Sequence, residues 1–349
     1  MRVARHADPP APSAVTVRRL AGAVGGVLAA LIVITAGWFL LQVYPIFSGG
    51  GRQVVVTVRT GESFTQVVGD LRHEGVFASS FAFRLANAVL GTPTVVAGPY
   101  VFRQGSSFPT IRSILEGGPN VPVIDNSAGL TTYELYQQVA GSGLGPRYAT
   151  ALQKALPAAA AASPFHHGSS PEGLIGVGSY LVTPGTTPTR LAHEMVAAFD
   201  AEAARVGLTP TTSVNGLDAY QLVVAASIVE KEGYYPKNMP RVARVIYNRL
   251  AIGDALQMDA TVLYALHIDG GTVTHAIEQT PSPYNTYLHA GLTPTPICTV
   301  SPSALAAVLH APPGPWMYFE VIDRAGDERF SRTFAEQLAA EALAAQRGL

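Results

Sequence analysis

Residues 217–266 read LDAYQLVVAASIVEKEGYYPKNMPRVARVIYNRLAIGDALQMDATVLYAL, and three helices can be read from them. From Leu222 to Val229 every residue is apolar or small, so this helix has no face left for water and must lie in a core. It runs straight into Glu230-Lys231-Glu232 and stops at Gly233. Asn238 can cap the next helix, whose Val242, Val245, Ile246 and Leu250 form one apolar stripe ending before Gly253. Asp259 is placed to cap a third. The acids are the chemically informative feature. A helix C-terminus carries partial negative charge, so carboxylates are disfavoured there. At the mouth of an apolar helix a carboxyl is also desolvated, which raises its pKa toward that of a general acid. The plain alternative is a solvated charge cluster. Two residues apart on a helix, Glu230 and Glu232 point about 200° from one another and cannot both face one substrate atom.

Outward from this core, the C-terminal side becomes Pro-rich (SPYNTYLHAGLTPTP, 282–296). A helix at Ser303–His310, a strand at Met317–Ile322 and a last helix from Thr333 follow. On the N-terminal side, Val54, Val56 and Val58 give a short β pattern. Phe64, Val67, Val68 and Leu71 then fall at helical spacing behind Ser63 as cap. A helix over Ser80–Leu90, a strand over Gly98–Phe102 and a helix over Ser107–Leu115 complete that region. A strand–turn–helix unit recurs at Val121–Val139. Residues 140–171 are rich in Gly, Ala, Pro and Ser and read as a flexible insert, in which the Ala158–Ala162 tract is either helical or disordered. A helix over Thr186–Ala204, capped near Thr187 or Thr189, leads back to the core.

Over all 349 residues the formal charge is −1, and only 13% of residues are charged. No clustered basic excess marks a nucleic-acid face. The single cysteine, Cys298, rules out an intramolecular disulfide and a Cys-rich zinc site. The charge is unevenly spread. Arg2, Arg5, Arg18 and Arg19 against Asp8 give residues 1–51 a net +3, leaving −4 beyond. No charge occurs from Leu20 to Phe47, a run long enough to cross a bilayer, with Trp38 and Tyr44 near its far end. The positive flank predicts a cytoplasmic N-terminus and an extracytoplasmic remainder. A cleaved signal peptide would be shorter and end in small residues. Residues 1–19 are then a cytoplasmic tail, 20–47 a single-pass anchor, and Ser48–Gly51 a short tether.

Other motifs carry less. His193-Glu194 begins like a zincin, but Ala197 stands where the second histidine would be. His166-His167 has no acid at matching spacing, and Ser227 has no His/Asp pair. No metal or cofactor is called for. Tyr284-Asn285-Thr286-Tyr287 differs: a polar-aromatic patch between prolines is what a sugar groove needs, ring faces for pyranoses and amides or hydroxyls for their hydroxyl groups. A surface loop would read the same way.

Ala226–Glu232 (ASIVEKE), Tyr247–Leu250 (YNRL), Leu256–Tyr264 (LQMDATVLY), Ser282–Tyr287 (SPYNTY) and Ala290-Gly291-Leu292 together resemble the MltG/YceG-like endolytic murein transglycosylases. The resemblance covers about residues 54–340. It implies an α+β fold: an N-terminal transmembrane helix, a LysM-like module over 52–118, then a mixed α+β catalytic domain over 119–349 with a mostly helical active-site region. The activity it implies is cleavage of the MurNAc-β-1,4-GlcNAc bond in glycan strands with formation of 1,6-anhydroMurNAc, without cofactor or metal. The implied partners are peptidoglycan glycan strands, the bacterial cell membrane through residues 20–47, and cell-wall synthases; nucleic acid is not among them. One carboxyl suffices for this chemistry, first as acid and then as base. Position in ASIVEKE assigns it to Glu230, with Glu232 next in line. Glu232, Asn248, Gln257, Asp259, Tyr284, Asn285 and Tyr287 are expected to bind substrate or support the site.

The chain departs from the family pattern at Thr295, at Thr299-Val300-Ser301, at Gly176–Tyr180 and at Gln337. Two rival readings follow. One is a peptidoglycan-binding scaffold with an impaired site; the other is a muramidase-type hydrolase that recruits a carboxylate such as Asp259 or Asp218.

Overall fold

The computed structural model of the chain describes residues 14–44, 50–233 and 235–349, with side chains from residue 22 onward. The tail ahead of Ala14, the end of the expected anchor (45–47) and Ser48-Gly49 of the tether lie outside the described residues. The chain divides into two compact units, one ending at Val121 and the other running from Pro122 to Leu349.

In the first unit, helix α1 covers Ala14–Val43. Its stretch Gly22–Val43 has a mean hydropathy of 2.3, and 22 helical residues rise about 33 Å, enough to cross a bilayer core. Strand β1 (Gln53–Val58) comes next, then helices α2 (Phe64–His73) and α3 (Ser80–Leu90). Strand β2 (Gly98–Arg103) returns antiparallel to β1, with Gln53 opposite Arg103 and Val58 opposite Gly98. Helix α4 (Phe108–Gly117) closes the unit. Ser63 starts α2 through a full capping box with Gln66, which satisfies two otherwise unpaired amides. The alternation of β1 turns Val54, Val56 and Val58 inward, against Tyr100, Phe102 and the aromatic group Phe77, Phe83 and Phe108.

The second unit begins with strand β3 (Val123–Asn126), helix α5 (Thr132–Gly141) and helix α6 (Gly145–Ala160). Residues 140–171 therefore differ from the flexible insert expected from composition. Ala149, Leu152, Leu156, Ala159 and Ala160 lie on one face of α6 and are buried in the core. The alanine tract favours helix, and Leu152 and Leu156, one turn apart, give that helix a face to bury. Strand β4 (Gly178–Leu181) pairs antiparallel with β3, Ile124 opposite Tyr180. Then come α7 (Pro188–Arg205), α8 (Ala219–Glu232), α9 (Met239–Ala251), α10 (Asp259–Ala265), the single turn α11 (His275–Glu278) and α12 (Pro302–Leu309). Strands β5 (Tyr318–Val321) and β6 (Glu328–Ser331) form an antiparallel hairpin, and α13 (Phe334–Gln346) follows.

The fold class is mixed α+β, as expected. Helix α8 is the axis of the second unit: each residue from Leu222 to Val229 is buried, including Ser227. Ser227 Oγ donates to Val224 O and accepts from Ile297 N at 2.9 Å, so the one hydroxyl in this buried stretch is fully used. Two expected caps differ. Asn238 precedes α9 but is already in helical geometry, and its amide is donated to Gly326 O at 2.9 Å instead. Asp259 is the first residue of α10 rather than its cap, which is Met258.

Candidate active site

The end of α8 separates the two acids as their helical phase requires. Glu230 Oε2 accepts from the backbone amide of Ser301 at 2.8 Å, at the cap position of α12. Glu232 Oε1 accepts from the amide of Ala260 at 2.9 Å, in the first turn of α10. Only Glu232 opens onto a cleft of about 520 Å³. Burial pushes its carboxyl up to about 7; the Ala260 amide pulls the other way, and Asp259 and Glu328 add to the rise.

Gln257, Asp259 and Tyr287 stand in the same cleft as Glu232. Gln257 has φ +52°, left-handed for a residue with a Cβ. Two bonds to one residue hold the loop there: Gln257 N donates to Thr286 O at 3.0 Å, and Met258 N donates to Thr286 Oγ1 at 3.1 Å. Asp259 is raised by burial, while the Tyr287 hydroxyl, which donates to its Oδ1, opposes the rise. The same contact and burial push the Tyr287 hydroxyl above its ordinary value.

The remaining expected site residues do not line this cleft. Asn285 is fully buried and braces the loop: Nδ2 donates to Glu278 O and Thr280 O at 2.7 and 2.8 Å, and Oδ1 accepts from Tyr287 N at 2.9 Å. Through Oδ1 it also fixes the backbone of Tyr287. Asn248 Nδ2 donates to Gly314 O and Trp316 O, tying α9 to the approach of β5. Tyr284 packs its ring 5.0 Å from that of Tyr264 and shares a 2.9 Å hydrogen bond with Thr295 Oγ1.

Sequence reasoning passed over several residues. Arg249, in the YNRL phrase, is buried and lines the cleft. Its guanidinium donates to Met317 O, Ala255 O, Leu256 O and Gln257 Oε1, between 2.7 and 3.0 Å, and lies 4.7 Å from the Tyr318 ring centre. It therefore holds the 255–257 loop and the β5–β6 hairpin to α9. Glu278, Glu320, Gln337 and Glu341 also face the cleft. Glu328, on β6, has both carboxyl oxygens buried without a hydrogen-bond partner, and burial pushes it up to about 7. Asn238 lies beside it and favours its charged form, but the Asn238 amide is already donated to Gly326 O.

Away from the cleft, Glu172 is buried and accepts from Thr132 N at 3.1 Å, Thr132 Oγ1 at 2.8 Å and the Tyr264 hydroxyl at 3.2 Å. Burial raises it to about 7 against these donors. The next residue, Gly173, has φ +74°, and a Cβ there would come within 2.4 Å of Pro296, which excludes any side chain. The departures at 295–301 are well bonded. Thr299 exchanges 2.8 Å backbone bonds with Leu130 O and Gly129 N, and Ser301 caps α12. Cys298 is wholly buried, its thiol directed at Ser227 O. Among the described residues, no group of three or more His, Cys, Asp or Glu side chains is arranged to hold a metal.

The sequence profile of the YceG-like family matches residues 56–342. Two curated relatives carry the name endolytic murein transglycosylase. That of Bacillus subtilis (strain 168) is 35% identical over 122 residues, 35% of this chain and 34% of the relative. That of Streptococcus pneumoniae serotype 2 (strain D39 / NCTC 7466) is 31% identical over 156 residues, 42% of this chain and 27% of the relative. The chain thus spans between about a quarter and a third of the length of the curated relatives it matches. A solved structure, the putative yceG-like protein lmo1499 of Listeria monocytogenes, superposes with a TM-score of 0.55 at 24% identity, over 83% of this chain and 99% of that one. This likeness is one of fold.

Proposed function

The chain belongs to the YceG-like family, and from that premise we propose that it is a membrane-anchored endolytic peptidoglycan lytic transglycosylase whose acid is Glu232. The observation that carries the reading is the Glu232 carboxyl, raised by burial to about 7 and bonded to one backbone amide, at the wall of a cleft that also bears Tyr287, Gln257 and Asp259. Protonated Glu232 gives its proton to the glycosidic oxygen as the bond from the muramyl C1 breaks. The resulting carboxylate then takes the proton of the muramyl 6-hydroxyl as that oxygen closes onto C1, leaving the 1,6-anhydro end and a restored acid. A pKa near the working pH serves both halves of this exchange. Helical phase favours Glu232 over Glu230, since Glu230 is turned toward the start of α12.

Anchoring rests on the apolar stretch of α1, with the N-terminus cytoplasmic and the catalytic unit outside. The LysM-like reading of residues 52–118 is supported by the strand–helix–helix–strand order β1-α2-α3-β2. The 119–349 region is then the catalytic domain.

The test is digestion of purified peptidoglycan strands by the full chain in detergent, with products identified by mass. Anhydro-muramyl ends are expected. Reducing ends instead would support a hydrolase with a second carboxylate such as Asp259 or Asp218, and no product would support a binding protein. Glu232→Gln is expected to abolish cleavage and Glu230→Gln to retain it; the reverse pattern moves the acid to Glu230.

A further inference from the structure

Helix α3 buries Ala82, Phe83, Ala86 and Asn87. Its other face exposes Phe81, Leu85 and Val89, four residues apart, with Leu90 beside them; Phe81 is 66% and Val89 78% exposed. The row is about 12 Å long at 1.5 Å per residue, and none of the described residues of the first unit covers it. Arginines surround it. Arg84 projects from the helix itself, Arg72 donates to Ser80 Oγ at its start, and Arg112, ion-paired with Glu116 at 2.8 Å, donates to Gly91 O at its end.

The place of α3 in its own unit identifies what covers this face. The far end of α1 is in contact with α3: Val43 is buried in the same cluster as Phe83, and Phe39 packs against it. Trp38 and Tyr44 are exposed at that same level, where amphipathic aromatics mark the boundary of a bilayer. An apolar row rimmed by arginines beside the exit of a membrane span matches a lipid–water interface, with acyl chains below and anionic headgroups around it.

We propose that α3 lies in the interface of the bilayer that α1 spans, its Phe81–Leu85–Val89 face among the lipid chains. The first unit then grips the membrane at two places instead of swinging on a single tether. This inference rests on the anchoring reading of α1.

The test uses the full chain on a Cys298→Ser background, reconstituted in vesicles of phosphatidylcholine and phosphatidylglycerol. An environment-sensitive fluorophore is placed by Leu85→Cys, by Val89→Cys or, in α1, by Val33→Cys. Lipids spin-labelled near the headgroup should quench the probes at 85 and 89 at least twofold, with little quenching by aqueous acrylamide. Chain-end spin labels should quench the probe at 33. If 33 is quenched while 85 and 89 answer only to acrylamide, the interfacial helix is refuted and the anchor stands. Probes at 85 and 89 shielded from both quenchers would mean a protein covers the face, which also refutes it. An unquenched probe at 33 overturns the anchoring reading and this inference with it.

Discussion

Replacing Glu232 by Gln should stabilise the protein at alkaline pH while removing its activity. The folded carboxyl titrates at about 7 against an ordinary value of 4.5. The native state therefore holds this proton between those two values while the unfolded chain has released it. Stability attributable to the group is complete below about 4.5, declines as pH rises, and is fully lost above 7. A rise of this size corresponds to about 3 kcal/mol, as an upper figure, for the ionised form at pH 8. Gln carries no charge and can still accept from the Ala260 amide through Oε1, so the variant escapes that cost. For a unit of this length, 1 kcal/mol moves Tm by about 2–4 °C. The variant should thus melt up to about 6–12 °C above the parent at pH 8 and together with it at pH 4. The assay is thermal unfolding of both proteins in detergent, followed by the fluorescence of Trp316 across pH 4–9. Glu172 and Glu328 are also raised to about 7, so the parent alone would not isolate Glu232; the difference between the two proteins does. A Tm difference independent of pH would refute the idea that this carboxyl is kept protonated by burial.

Further outcomes follow from the same geometry. Cleavage by the parent should fall about tenfold per pH unit above 7 as Glu232 ionises, and rates measured across pH 5–9 check this. Glu328→Gln removes a neighbouring charge that raises Glu232, so the alkaline limb of that profile should move to lower pH; an unmoved limb means the two carboxyls are not coupled. Glu230→Ala leaves Ser301 N without its acceptor and should cost about 1–2 kcal/mol in denaturant unfolding, with cleavage kept within a few-fold. Ser227→Ala strands the buried amide of Ile297 and should cost about 1–3 kcal/mol without altering the pH profile.

The sequence was most legible where one physical rule governs a whole segment. The apolar run 222–229 admits only a buried helix, and Ser63 and Thr187 each cap the helix that follows them, as expected. The division of roles at the candidate site was not legible: of the residues expected to bind substrate or support the site, Gln257, Asp259 and Tyr287 share the cleft, while Asn285, Asn248 and Tyr284 bond the frame around it. An amide or hydroxyl that binds sugar and one that binds backbone look identical in sequence; only its neighbours separate them. Arg249 was missed for a related reason: most of its donors meet backbone carbonyls at 255, 256 and 317, partners that leave no trace in residue type.

The acids at the end of α8 show how the fold keeps what local rules disfavour. A helix C-terminus repels carboxylates, yet both acids remain because each meets the electropositive start of a later helix, Glu230 at Ser301 of α12 and Glu232 at Ala260 of α10. One amide is not enough to offset burial at Glu232, so its carboxyl stays high, whereas Glu230 is turned out of the cleft altogether. The same 200° separation that forbids a shared substrate atom thus divides the labour: one acid fastens α12 to the core, and the other is left desolvated beside open space. Chemistry follows from the mismatch. A Glu232 given a second donor, or a nearby cation, would be a better-satisfied carboxylate and a poorer acid at neutral pH.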